Sequence, residues 1–151
     1  MLRILFSYLD VLWRLKVKLT KIRYSDLNGR QKENYNFTKV AALLADYGFQ
    51  CLLLSDDWNG ADFLALNNHE DVTHKVQLKG RLTIDTKYQG KDIVMAFPND
   101  EHWYFVPHDD LMACVAANTP WLESSAWKND GLYTSAKPSK ALVGAIERYR
   151  L

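Results

Sequence analysis

The sequence predicts an α/β fold with a single domain over residues 26–151, and three observations carry that expectation. A helix-period pattern comes first, a series of apolar runs of strand length follows, and helix-period patterns return near the end of the chain. Polar turn-forming segments separate the runs, and no internal repeat or low-complexity linker divides them. A chain of 151 residues is long enough to bury its own core. With 48% hydrophobic and 25% charged residues it belongs to the globular class rather than the disordered one.

Residues 1–25 are set apart. The stretch "MLRILFSYLDVLWRLKVKLTKIRY" places Ile4, Leu5, Tyr8, Val11, Leu12 and Leu15 at helical spacing, with basic residues gathering toward its end. An amphipathic helix is expected there: packed on the domain, resting on a membrane surface, contacting a partner, or forming an extension ahead of the natural start. Arg3, Asp10 and Arg14 interrupt it too often for a bilayer span, and it lacks the cleavage pattern of a signal peptide.

From Ser25 onward the signals sharpen. Phe37, Val40, Ala41 and Leu44 form a helical stripe, with Gly48 as a stop, so a helix is predicted from about Arg30 to Tyr47. Glu33 lies one turn before Phe37, at the N-terminal end of that stripe. "FQCLLLS" reads as a strand and "DDWNG" as a turn built on its Asn-Gly pair. "ADFLAL" and "HKVQLKG" read as a hairpin joined by "NNHEDVT". "RLTIDTKYQGKD" connects to two further strands, "IVMAFP" and "HWYFVP", which makes a sheet of about five. "HDDLMACVAANT" reads as a helix capped by an aspartate, and an aromatic-rich loop region leads to a last helix from about Pro138. Trp121, Trp127 and Tyr133 in that region are expected to pack the last helix down.

Net charge is +1, so no global basic signature of nucleic-acid binding exists, although a local basic surface depends on arrangement rather than on the sum. The two cysteines, Cys51 and Cys114, sit in apolar runs without neighbours at zinc-ligand spacing and are expected as buried, reduced thiols. Nothing in the composition argues for secretion, and a cytoplasmic protein is expected.

Polar residues interrupt the hairpin. On its second strand Lys75, Gln77 and Lys79 share a face opposite Val76 and Leu78, and on its first Asp62 shares a face with Leu64 and Leu66. A register that sets Asp62 across from Gln77 or Lys79 brings the three to one face. If the helix bearing Glu33 covers that face, Glu33 joins them from above. Two carboxylates, an amide oxygen and a lysine then form an oxygen-rich cation site of the kind magnesium favours. The plain alternative makes Asp62 a turn residue after Gly60, Gln77 and Lys79 parts of a solvated face, and Glu33 a first-turn acid complementing the helix dipole.

A helix with Glu33, a strand, a strand with Asp62 in "GADFLAL" and a strand with Gln77-Leu78-Lys79 in "VQLKGR" together resemble the PD-(D/E)XK, or restriction-endonuclease-like, nuclease superfamily. In feel the chain is similar to its small resolvase-like and homing-type endonucleases. The resemblance spans about Arg30 to Pro107. It implies a restriction-endonuclease-like core and a metal-dependent endonuclease that hydrolyses phosphodiester bonds in DNA. Asp62 is then the principal metal ligand, and Gln77 and the Leu78 carbonyl complete the inner shell. Lys79 orients the attacking water and stabilises charge on the phosphate, and Glu33 holds a second metal or a metal-bound water. The implied cofactor is Mg²⁺, with Mn²⁺ as a substitute. Gln77 stands where the family usually has an acidic residue, Ala61 where it has proline, and the segment after Lys79 is short for the family's crossover helix, which is expected as a single turn or missing.

Around this site Lys75, Arg81, Lys87 and Lys91 are candidates to track a phosphate backbone, and Trp58 and Tyr88 to stack or wedge at bases; the plain alternative is a solvated surface with ordinary core aromatics. DNA and, as an assembly, a homodimer are the expected partners. Two rival classes stand beside the enzyme: a nuclease-fold module that binds nucleic acid or a protein partner with little or no catalysis, and a small structural subunit. "HEDVTH" is one residue too long for a zincin motif and sits in a loop. His102 and His108 read as strand-edge and capping residues, and no serine has a hydrolase context.

Overall fold

The computed structural model describes residues 19–151; the helix expected in the N-terminal segment falls largely on residues 1–18, outside the described residues. The described residues divide into two compact units, 19–32 and Glu33–Leu151. In the first, Arg23 pairs with Asp26 at 3.0 Å across a 3-10 turn, Tyr24–Asp26. Asn28 and Gln31 then cap each other's main chain reciprocally, each bond 2.9 Å, which starts the helix Gly29–Ala45 (α1).

The second unit is built on a mixed five-stranded sheet of order β1-β2-β3-β5-β6. Its strands are β1 (Gln50–Trp58), β2 (Ala61–Asn67), β3 (Val72–Leu78), β5 (Ile93–Asn99) and β6 (His102–Pro107). All neighbours are antiparallel except β3 and β5, which run parallel. β1 continues through most of the expected turn, and the reversal needs only Asn59 and Gly60, at φ +54° and +88°, the left-handed pair of a tight hairpin.

A parallel pair requires a crossover. Here it is a strand, β4 (Leu82–Asp85), followed by a single 3-10 turn, Thr86–Tyr88. β4 pairs antiparallel with β7 (Leu132–Ser135), in a segment expected as loop, and Thr83 and Thr134 hydroxyls meet at 3.0 Å between them. The helix α2 (His108–Asn118) follows β6 directly. It starts after Pro107 with no side-chain cap, so the aspartates expected as its cap occupy its first turn instead. The tail adds α3 (Ser125–Asp130) and α4 (Lys140–Ala145), and Trp121 stacks on Tyr133 at 4.6 Å against the core.

Two apolar layers flank the sheet. On one face α1 packs Val40 and Leu44 against Phe63, Ala65, Val76, Val94 and Ala96. On the other, Tyr88, Leu111, Val115, Leu142 and Ile146 cover Ile93, Met95 and Phe97. Burial of each such large side chain contributes roughly 1.5–3 kcal/mol, which makes these layers the main source of stability. Phe37 meets Phe63 edge-on at 5.3 Å, and the Asn67 amide donates to the Tyr47 carbonyl at 3.2 Å. From Phe37 to Tyr47 the chain therefore runs alongside β2 in the same direction.

Candidate functional site

The β2–β3 ladder has Phe63 opposite Val76, and one step further the same register sets Asp62 opposite Gln77. There a side chain takes over from the main chain. Asp62 Oδ2 accepts the Leu78 N–H at 2.8 Å and a hydrogen bond from Gln77 Nε2. Gln77 Nε2 also donates to the Leu78 carbonyl at 3.3 Å, and Gln77 Oε1 accepts from the Tyr88 hydroxyl at 3.0 Å. Gln77 is only 6% exposed, so a complete set of partners is what its burial requires.

Lys79 leaves the same strand beside this network. Its main-chain N–H donates to the Ala96 carbonyl at 2.9 Å, and its ammonium lies 5.8 Å from the centre of the Tyr88 ring. Lys87 approaches that ring at 4.9 Å. The Lys87 ammonium is held above the ordinary lysine range, first by hydrogen bonding with Tyr88 and further by Asp85 at 3.4 Å, against the cost of desolvation. Two cations thus border the end of the hairpin where Asp62 and Gln77 meet.

Tyr88 is the residue on which this arrangement depends, and its position corrects its candidacy as a base-stacking aromatic. The plain alternative, an ordinary core aromatic, is the one that holds: Tyr88 is 2% exposed and belongs to the core. Asp85 sets it in place by accepting the Lys87 N–H at 3.0 Å, which opens the 3-10 turn ending at Tyr88. Gly60 makes room for it: a Cβ there would meet the ring at 3.1 Å, on a backbone at φ +88° that few other residues adopt. The hairpin turn and the crossover turn therefore close on each other beside Asp62.

His108 is a second correction. It is 1% exposed rather than a capping residue, and its ring lies edge-on to Tyr88 at 5.6 Å. Its Nε2 accepts the Asp85 N–H at 3.2 Å, so the neutral ring carries its proton on Nδ1. Burial lowers its pKa, opposed by Asp109, whose carboxylate is 3.7 Å from Nδ1, and by Asp85. Neither residue was marked by a motif. A tyrosine and a histidine in a polar loop and after a proline carry no signal of burial until the crossover is known.

The remaining candidates fall around this centre. Alternation on β3 puts Gln77 on the face away from α1, because Val76 and Leu78 pack on the α1 side. Glu33 does not come down on the face that holds Gln77, as a helix covering that face would have brought it. It is exposed, on a helix whose buried stripe packs on the face opposite Gln77. Lys75 donates to the Lys91 carbonyl at 2.6 Å, and the side chains of Arg81 and Lys91 are exposed. Trp58 is 53% exposed at the end of β1, opposite Ala61. His74, from the rejected zinc pattern, packs its ring 5.7 Å from both Phe49 and Phe105. Cys51 and Cys114 are free thiols, half-buried, and burial pushes Cys51 up to about 11.

Among the described residues no three His, Cys, Asp or Glu side chains are grouped to hold a metal ion. The oxygens at the hairpin end are the Asp62 carboxylate and the Leu78 carbonyl, both served by the Gln77 amide nitrogen, while Gln77 Oε1 is held by Tyr88. These hard donors, carrying a single negative charge, fit a magnesium or manganese ion that keeps several of its waters. Comparison with protein-family models and with curated protein sequences gave no match, so the functional reading rests on this geometry.

Proposed function

We propose that the chain is a metal-dependent endonuclease of restriction-endonuclease-like architecture that hydrolyses phosphodiester bonds in DNA. The observation that carries the proposal is the meeting of Asp62, Gln77 and the Leu78 carbonyl at the end of β2–β3, with Lys79 two residues further along. The mixed sheet with α1 ahead of it supports the architecture. In this reading Asp62, the Leu78 carbonyl and Gln77 hold Mg²⁺ or Mn²⁺, which when bound supplies Lewis-acid polarisation and a more acidic water. Lys79 orients the attacking water and offsets negative charge growing on the phosphate. Lys75, Arg81, Lys87 and Lys91 supply positive charge toward the DNA backbone, and the exposed Trp58 offers a stacking surface.

The test is incubation of plasmid, linear and branched DNA with the full chain and Mg²⁺ or Mn²⁺, alongside Asp62→Ala and Lys79→Ala. Cleavage by the parent and its loss in both variants is expected. No cleavage by the parent, or equal cleavage by all three, defeats the assignment. One observation favours a second reading, a non-catalytic module that binds nucleic acid or a protein: Gln77 turns a hydrogen-bond donor, not an acceptor, toward Asp62. That reading predicts DNA retention in a gel shift with no cleavage under any cation.

A further inference from the structure

The amide of Gln77 joins two sets of atoms that make opposite demands on it. On one side are the Asp62 carboxylate and the Leu78 carbonyl, both of which only accept, and the group between them must be the –NH₂. On the other side is the Tyr88 hydroxyl, which donates to Gln77 Oε1 but is equally able to accept. The two acceptors that Nε2 now satisfies are the same two oxygens to which the proposed function gives the cation. An ion at those oxygens takes over the role of the amide nitrogen, and a side-chain oxygen is then what it needs from Gln77.

We propose that Gln77 is a built-in placeholder for the divalent cation. Without the ion its nitrogen satisfies Asp62 and Leu78; with the ion the amide turns over, its oxygen joins the ion and its nitrogen passes to the Tyr88 hydroxyl. Tyr88 is a positioning residue in this exchange, because it serves the amide in both orientations. The proposal rests on the metal-dependent reading of the site and explains why an amide stands where a carboxylate would bind the ion more strongly. A carboxylate at this 6%-exposed position would face Asp62 as a buried like-charge pair whenever the ion is absent.

The experiment follows the side-chain amide resonances of Gln77 in the ¹⁵N-labelled full chain during titration with Mg²⁺, and the thermal stability of the parent, Gln77→Glu and Asp62→Asn in EDTA and in Mg²⁺. The Gln77 resonances are assigned by their absence in Gln77→Glu. They are expected to shift in a saturable way, with Gln31, Gln50 and Gln89 unmoved. Gln77→Glu is expected to melt about 5 °C or more below the parent in EDTA, through like-charge repulsion. In Mg²⁺ it is expected to recover beyond the parent's own gain and to bind the ion about tenfold more tightly, through its added ligand charge. A Gln77→Glu chain that folds only when Mg²⁺ is present would be the same result in stronger form. If Mg²⁺ stabilises the parent but not Asp62→Asn, while the Gln77 resonances stay still and Gln77→Glu melts normally in EDTA, the placeholder is overturned and the metal site stands. If Mg²⁺ neither shifts a resonance nor stabilises any of the chains, both fall.

Discussion

The two ends of the β2–β3 hairpin each bury one polar side chain, and the partners those side chains choose set the ends apart. At the closed end Asn67, 4% exposed, accepts the main-chain N–H groups of His69 and Glu70 and donates to the Tyr47 carbonyl. Each of these partners is backbone, and each bond shapes a turn. At the open end Gln77, 6% exposed, is bonded chiefly to the side chains of Asp62 and Tyr88, which arrive from a different strand and from the crossover. No turn there requires those bonds, and two lysine ammonium groups border them. A buried amide spent on backbone is architecture. One spent on a carboxylate and a phenol beside cations has the makings of a site.

Substitutions at the two ends should therefore separate stability from chemistry. Asp62→Ala is expected to have the largest effect, lowering Mg²⁺-dependent cleavage by about 10²-fold or more, as loss of transition-state charge stabilisation does; single-turnover rates check it. Asn67→Ala is expected to cost about 1–3 kcal/mol in denaturant unfolding, because it orphans backbone groups around the loop. Its cleavage rate per folded molecule should match the parent. If Asn67→Ala instead loses cleavage while fully folded, the division between the ends is wrong.

His108 sharpens the open end further. Burial holds its pKa below the ordinary 6.5, so as pH falls the unfolded chain takes up the proton first. The corresponding stability is fully present above 6.5 and is lost as pH falls from there toward the folded value. A proton on Nε2 would also set a donor against the Asp85 N–H that opens the Tyr88 turn. Urea unfolding across pH 5–8 should show this decline in the parent and a flatter profile in His108→Gln, which keeps an acceptor for Asp85. The smallest effect is expected at the rim, where Lys87→Ala should weaken DNA binding and reduce its log–log salt dependence by about one; fluorescence anisotropy at several salt concentrations measures it.

Much of the hairpin was legible in the sequence because strand alternation leaves few choices. Once "GADFLAL" and "VQLKGR" are strands, Asp62 and Gln77 meet in one register, and the five main strands follow from their apolar runs. What periodicity cannot supply is which face a helix covers. The stripe of Phe37, Val40 and Leu44 marks the buried side of α1 but not the sheet face beneath it, and so the sequence leaves open whether Glu33 joins the hairpin's polar groups. The β4–β7 pair was unreadable for another reason. Each strand has four residues, and their partners lie some fifty residues apart, so neither carries a local pattern long enough to be recognised. Tyr88 and His108 inherit that gap, since their burial exists only once the crossover has folded against α2.

The most direct test is single-turnover cleavage of supercoiled plasmid in Mn²⁺ by the parent and by Lys79→Ala, with denaturant unfolding run on the same samples. Lys79 is partly exposed and its side chain borders the network without closing it, so its removal should leave stability within about 0.5 kcal/mol of the parent. The account predicts a parent that cleaves and a stable Lys79→Ala that cleaves at least about 10²-fold more slowly. Equal rates from two equally stable proteins, or a parent that leaves the plasmid intact, would contradict it.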